Sequence, residues 1–100
     1  MMDKMQILWG VAYAHNVTTE RLLGRQRDQK ISEARAIAMY LLRELSGDTW
    51  QGIGRFLNKD HSSVMCGYHK VKRRMRAAPA YGRWVGTVRA AIWEERACLA

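Results

Sequence analysis

Residues 35–64 read RAIAMYLLRELSGDTWQGIGRFLNKDHSSV. With Ala34 just ahead of them, Ile37, Ala38, Leu41, Leu42 and Leu45 recur at the three- and four-residue spacing of one helix face. Ser46-Gly47-Asp48 ends that helix. Thr49 is a good N-cap for a second helix running to about Leu57. Ile53, Phe56 and Leu57 face inward on it, and Gly52 and Gly54 allow close approach by another helix. Asn58-Lys59 makes a short turn, since Asn tolerates the left-handed conformation. Asp60 or His61 begins a further long helix with a buried stripe of Val64, Tyr68, Val71 and Met75. Two helices across so short a turn, the second of them basic, outline a helix-turn-helix.

Helical periodicity continues on both sides. Upstream, Lys4 to His15 places Ile7, Leu8, Val11 and Ala12 on one face. Thr18 and Thr19 cap a short turn through Leu22 and Leu23, which Gly24 closes as a C′ residue would. Gly24 to Ile31, GRQRDQKI, is polar, basic and non-periodic, and reads as a loop. Ser32 can cap the long helix that follows, with Glu33 in its first turn. Downstream, Pro79 biases Ala78 out of the helical region. A last helix runs from about Pro79 to Cys98, with Trp84, Val85, Val88, Ala91 and Ile92 inward. No stretch alternates like a strand for long, and there is no internal repeat. The expected fold is all-α, about five or six helices. Residues 1–100 form one domain, with a basic loop at 24–31, the helix-turn-helix at about 49–76 and an extra C-terminal helix at about 79–98.

Composition narrows the class. The chain has 100 residues, 48% of them hydrophobic, with one Pro and 8 Gly, which argues against disorder, a linker or a fibrous repeat. No apolar run approaches the ~20 residues of a membrane span, and no signal peptide with a separate cleavage site is evident. Cys66 and Cys98 lie far apart without a CxxC motif, so two reduced thiols in a cytoplasmic protein are expected. The net charge is +8. Residues 1–50 hold 7 basic and 6 acidic side chains, whereas residues 51–100 hold 10 basic and 3 acidic. The excess gathers at Lys70, Lys72, Arg73, Arg74 and Arg76. This is the footprint of a polyanion binder, for nucleic acid or an anionic membrane surface. Charge alone fits a solvated helix face equally well.

In a helix-turn-helix the N-terminal residues of the second helix enter the major groove. Here they are Asp60, His61, Ser62 and Ser63. Asp can accept from a cytosine amino group, and Ser and His can bond base edges. The same helix end offers unpaired N–H groups and a positive dipole to a phosphate. Asp60 and Ser62 also suit capping, and for Asp60 the two roles are compatible.

The order of residues adds a specific signal. Arg35, Ala38-Met39, Arg43-Glu44-Leu45, Ile53-Gly54 and Asp60-His61-Ser62-Ser63-Val64 stand in register, and Val17 to Arg27 supplies a Leu-Leu element and a basic loop. This arrangement resembles the C-terminal DNA-binding domain, domain IV, of the bacterial replication initiator DnaA, over roughly residues 5–75. The resemblance implies a Trp-repressor-like helix-turn-helix fold and sequence-specific binding of double-stranded DNA at DnaA-box-like sites. It implies that Arg27 enters the minor groove, where a narrow A·T-rich tract concentrates negative potential. Asp60, His61 and Ser62 would read base edges in the major groove, with Ser63 beside them. Arg25 and Lys30 would flank Arg27 as phosphate contacts, with Arg35 and Arg43 on the long helix. Lys59 and Lys70 join them from charge and position.

Departures bear on specificity. Ser62 and Ser63 stand where the family has two threonines, whose methyl groups can pack on thymine methyls, so a relaxed or shifted preference is expected. Glu33-Ala34 replaces an Arg-Pro, and Gln26 and Gln29 replace positions that are often basic. The basic run Lys70 to Arg76 can offset these losses.

The chain contains no GxxxxGK[ST] and hence no P-loop. No nucleotide, no cofactor, no metal, no membrane and no enzymatic activity are expected. Asp60, His61 and Ser62 are adjacent on one helix and point in different directions, so they cannot form a hydrolytic relay. Cys66 and His69 form an i, i+3 pair with no second ligand pair for a metal. RNA binding lacks the stacking surface and Gly-rich motifs of common RNA modules. Met1-Met2-Asp3 ahead of the first helix, and an atypical tryptophan-bearing tail, favour a natural stand-alone protein over an excised domain. A nucleoid-associated, phage or mobile-element protein acting in the bacterial cytoplasm fits. It would occupy sites, block the initiator or regulate transcription. The alternative is a protein-interaction module. Of Trp9, Trp50, Trp84 and Trp93 most are expected in the core. Exposure of Trp50 or Trp93 would mark a partner or homodimer surface.

Overall fold

The computed structural model describes the backbone of residues 2–25 and 27–99, with side chains through Glu94. The features ascribed to Met1, Gln26 and the Cys98 side chain therefore lie outside the described residues. Six helices follow one another: α1 (Lys4–Ala14), α2 (Thr19–Leu23), α3 (Gln29–Ser46), α4 (Trp50–Leu57), α5 (His61–Ala77) and α6 (Pro79–Leu99). No strand occurs among the described residues. No helix there is long and apolar enough to cross a membrane.

α3 is the central element, packed on α5 and α1. The expected stripe Ala34, Ile37, Ala38, Leu41, Leu42 and Leu45 is buried in full, and Ile31, Met39 and Tyr40 join it. Each fully buried Ile or Leu of this stripe contributes about 1.5–3 kcal/mol of hydrophobic stabilisation. Ile7, Leu8 and Val11 of α1, Ile53 and Leu57 of α4, and Val64 and Val71 of α5 complete one shared core. α3 ends at Gly47, whose φ of 68° lies in the left-handed region where a side chain is strained.

Four local expectations are corrected. First, α3 begins at Gln29, three residues before Ser32, because the Asp28 carboxylate accepts from the Ile31 N–H at 2.9 Å. The basic loop is correspondingly shorter. Second, Gly24 closes α2 with φ −85°, not left-handed, and its carbonyl serves two cations instead. Third, the inner face of α6 is Val85, Val88 and Ile92; Trp84 is 38% exposed and Ala91 is exposed. Trp84 instead donates its indole N–H to His15 Nε2 at 3.4 Å, across the α1–α6 contact. Fourth, Gly52 faces the Asp48 carboxylate and not another helix.

Candidate nucleic-acid interface

The α4–turn–α5 corner is built from caps. The Thr49 hydroxyl accepts from the Gly52 N–H at 3.0 Å and opens α4. Arg43, in the last turn of α3, donates to the Asp48 carbonyl at 2.6 Å and lies 4.3 Å over the Trp50 ring. α4 ends at Asn58, left-handed with φ 57° as its residue type suggested. The Lys59 N–H then bonds the Gly54 carbonyl at 2.8 Å. At Gly54 the chain passes so close that a Cβ would stand 2.7 Å from the Lys59 carbonyl oxygen and 3.3 Å from the His61 nitrogen. The small residue is what lets α5 start directly against α4.

Asp60, His61, Ser62 and Ser63 therefore emerge together in the open. Asp60 occupies the N-cap position, but its side chain caps no backbone N–H. Its carboxylate accepts from the Ser62 hydroxyl and lies 3.4 Å from His61 Nδ1. The Ser62 hydroxyl, aided by His61, holds the Asp60 carboxyl below the ordinary carboxylate range. The group stays an ionised acceptor, the state required to receive a base amino group. The three side chains, expected to point apart, are thus linked through the Asp60 carboxylate before any ligand arrives, because Asp60 precedes the helix as its N-cap.

The basic loop is tied to this corner. Lys59 donates from its ammonium to the Gly24 carbonyl at 2.6 Å. Arg35 donates to the carbonyls of Leu22 at 2.8 Å, Arg21 at 3.0 Å and Gly24 at 3.1 Å. Burial pushes the Lys59 ammonium down from its usual value, and the neighbouring Arg35 and Arg25 charges add to this. Burial also lowers Arg35, with Asp28 opposing. Three cations thus share one neighbourhood, which favours an arriving anion.

The expected contact residues divide into two groups. Arg35, Arg43 and Lys59 are half-buried and hold backbone carbonyls. Arg25, Arg27, Lys30 and Lys70 are exposed. Lys70 shares a surface cleft between α3 and α5 with Arg35, Ser63 and Cys66. The clamping of carbonyls by Arg35 and Lys59 was not readable from the sequence, which carries no signal for it. Also unforeseen is the aromatic cluster beneath Arg43. Tyr40 and Tyr68 stack at 5.3 Å, Trp50 meets Tyr68 edge-on at 5.2 Å, and the Tyr68 hydroxyl donates to Glu44 at 2.9 Å. Trp50 is thereby half-buried, whereas Trp9 is 54% and Trp93 46% exposed.

Comparison with known proteins gives this corner its context. The family described as the bacterial dnaA protein helix-turn-helix matches residues 5–71. The chromosomal replication initiator protein DnaA of Deinococcus radiodurans is 31% identical over 88 residues, 88% of this chain and 19% of that protein. That of Streptococcus thermophilus is 39% identical over 62 residues, 61% of this chain and 14% of that protein. A solved structure described as a DNA replication initiation factor superposes with a TM-score of 0.81 at 30% identity, covering 92% of this chain and 28% of the other. The chain spans at most 19% of the length of the DnaA relatives named here. With most of its helices and the whole corner inside the matched region, the chain belongs to the bacterial DnaA helix-turn-helix family.

Proposed function

We infer that this protein binds double-stranded DNA sequence-specifically at DnaA-box-like sites. The first turn of α5 enters the major groove, and Arg27 of the basic loop enters the adjacent minor groove. The observation that carries this reading is the Lys59–Gly24 bond at 2.6 Å. It couples the loop to the residue just before Asp60, so two reading elements keep a fixed spacing, as contact with neighbouring grooves requires. Asp60, His61, Ser62 and Ser63 read base edges. Arg25, Lys30 and Lys70 hold phosphates from exposed positions. Arg35, Arg43 and Lys59 add positive potential and shape the backbone around them. Acting at such sites without ATP hydrolysis of its own, the protein serves replication control or transcription regulation in the bacterial cytoplasm, by occupancy.

Selection of bound sites from random duplex DNA, repeated at two salt concentrations, tests this. Recovery of an asymmetric box related to the initiator's own supports it. Binding without an enriched motif, lost at higher salt, reduces it to a basic surface.

A second reading has its own observation. Met5, Trp9 and Tyr13 recur every four residues along α1 and are 47%, 54% and 76% exposed. Such an apolar stripe suits a protein partner. Its binding would persist at salt concentrations that remove DNA.

A further inference from the structure

The stripe that Ser62 begins runs on along α5 beyond the base-reading turn. Ser62, Cys66, His69, Arg73 and Arg76 fall at i, i+4, i+7, i+11 and i+14 and are all exposed. That spacing keeps them on one stripe of the helix. The opposite side holds Val64 and Val71 in the core, with Tyr68 and Met75 packed against it. No Asp or Glu occurs anywhere in residues 61–93, so no acidic neighbour along α5 neutralises the stripe. Two other basic groups of α5, Arg74 and Lys72, are engaged differently. Arg74 pairs with Glu33 at 3.5 Å and lies 4.2 Å over the Tyr81 ring. Lys72 sits 5.5 Å over Tyr68. Arg73 and Arg76 have neither an ion pair nor a hydrogen bond among the described residues.

We propose that this outer stripe is an extension of the DNA surface, in which Arg73 and Arg76 hold the phosphodiester backbone of duplex flanking the base-read site. The proposal rests on the DNA-binding reading above and adds a footprint to it. At about 1.5 Å of rise per residue, Ser62 and Arg76 are about 21 Å apart along the axis. That is about six base-pair steps at ~3.4 Å each. A helix with its first turn in the groove and its axis along the duplex thus brings its basic end onto flanking phosphates. The contacts are sequence-independent and positional.

The test uses the full chain and a 30-base-pair mixed-sequence duplex, with affinity measured by fluorescence anisotropy across a salt series. Each phosphate contact contributes ~0.9 to the slope of log affinity against log salt. The double variant Arg73→Gln/Arg76→Gln is expected to bind with a slope shallower by about 2. Arg89→Gln, whose charge lies near Tyr40 of α3, is expected to leave the slope as it is. An unchanged slope in the double variant overturns the proposal while the DNA-binding reading stands. If the unaltered chain binds no duplex even at low salt, that reading falls and the extended surface with it.

Cys66 provides an independent readout, because its thiol is exposed in the middle of the stripe. Saturating duplex is expected to slow its alkylation at least severalfold, followed by peptide-resolved mass spectrometry to separate it from Cys98. Undiminished alkylation of Cys66 in the fully bound protein counts against the stripe.

Discussion

Lys59 and Gly24 are 35 residues apart, yet the ammonium of one donates to the carbonyl of the other at 2.6 Å. Lys59 belongs to the turn of the helix-turn-helix, and Gly24 opens the basic loop. Arg35 reinforces the same carbonyl from α3. Replacing Lys59 by Met keeps the aliphatic stem and removes the donor. A hydrogen bond to a charged group is worth about 1.5–3 kcal/mol, less where water reaches it. Lys59→Met should therefore unfold at modestly lower denaturant, with faster amide exchange in residues 24–28. Its affinity for the selected site should fall more than the stability does. Equal exchange in the two proteins would show the bond to be dispensable.

Gly54 makes a sharper prediction, because the obstacle is backbone. A Cβ there would lie 2.7 Å from the Lys59 carbonyl oxygen, and α4 and α5 would have to separate. Overpacking of this kind costs about 1–3 kcal/mol. Gly54→Ala should lower the unfolding free energy by that amount and disturb the NMR shifts of residues 58–63. Gly86, with nothing within 4 Å of its Cβ position, provides the contrast. Gly86→Ala should be neutral to stabilising, since Ala is the better helix former.

These residues mark how far the sequence could be read. The α3 stripe and the caps at Gly47, Thr49 and Asn58 follow from periodicity and turn chemistry, and each is present. α3 starts ahead of Ser32 because Asp28 is an equally good cap. Only the Asp28 bond to Ile31 resolves the choice. Exposed Asp60 to Ser63 at one helix end was legible from residue order. The carbonyl clamps of Arg35 and Lys59 were not, since a surface-type cation gives no local sign of what it will touch. The outward turn of Trp9 was hidden for a related reason. With Met5 and Tyr13 it continues an apolar face that α1 presents away from the core.

Acid should act at the α3–α4 junction. The Asp48 carboxyl is held below its usual range first by the hydrogen bond from the Lys4 ammonium, then by the Thr49 N–H. A carboxyl with a depressed folded-state pKa stabilises the fold above its unfolded pKa, near 3.9. That contribution is lost as pH falls through the folded value. Asp48→Asn should therefore melt below the unaltered chain at pH 7, and the gap should narrow as pH falls below the unfolded value and through the lower folded one. Melting curves across pH 2.5–7 check this, and a gap that persists undiminished at the acidic end would point to lost shape in place of lost charge.

The division of labour between loop and helix predicts an asymmetric mutational pattern. Arg27 is exposed and makes no hydrogen bond or ion pair among the described residues, so removing it should leave the fold intact. His61 is likewise exposed, and its ionic neighbour among the described residues, Asp60, is proposed to read bases with it. A base contact is worth about 1–3 kcal/mol. Arg27→Ala and His61→Ala should therefore weaken binding to the selected site by about 5- to 150-fold, and binding to random duplex much less. Lys70→Ala, which removes an exposed charge without touching the first turn of α5, should weaken both alike. The decisive quantity is the ratio of selected-site to random affinity. If Arg27→Ala and His61→Ala leave that ratio unchanged, neither residue reads bases, and specificity must come from Asp60, Ser62 and Ser63 or from the shape of the DNA.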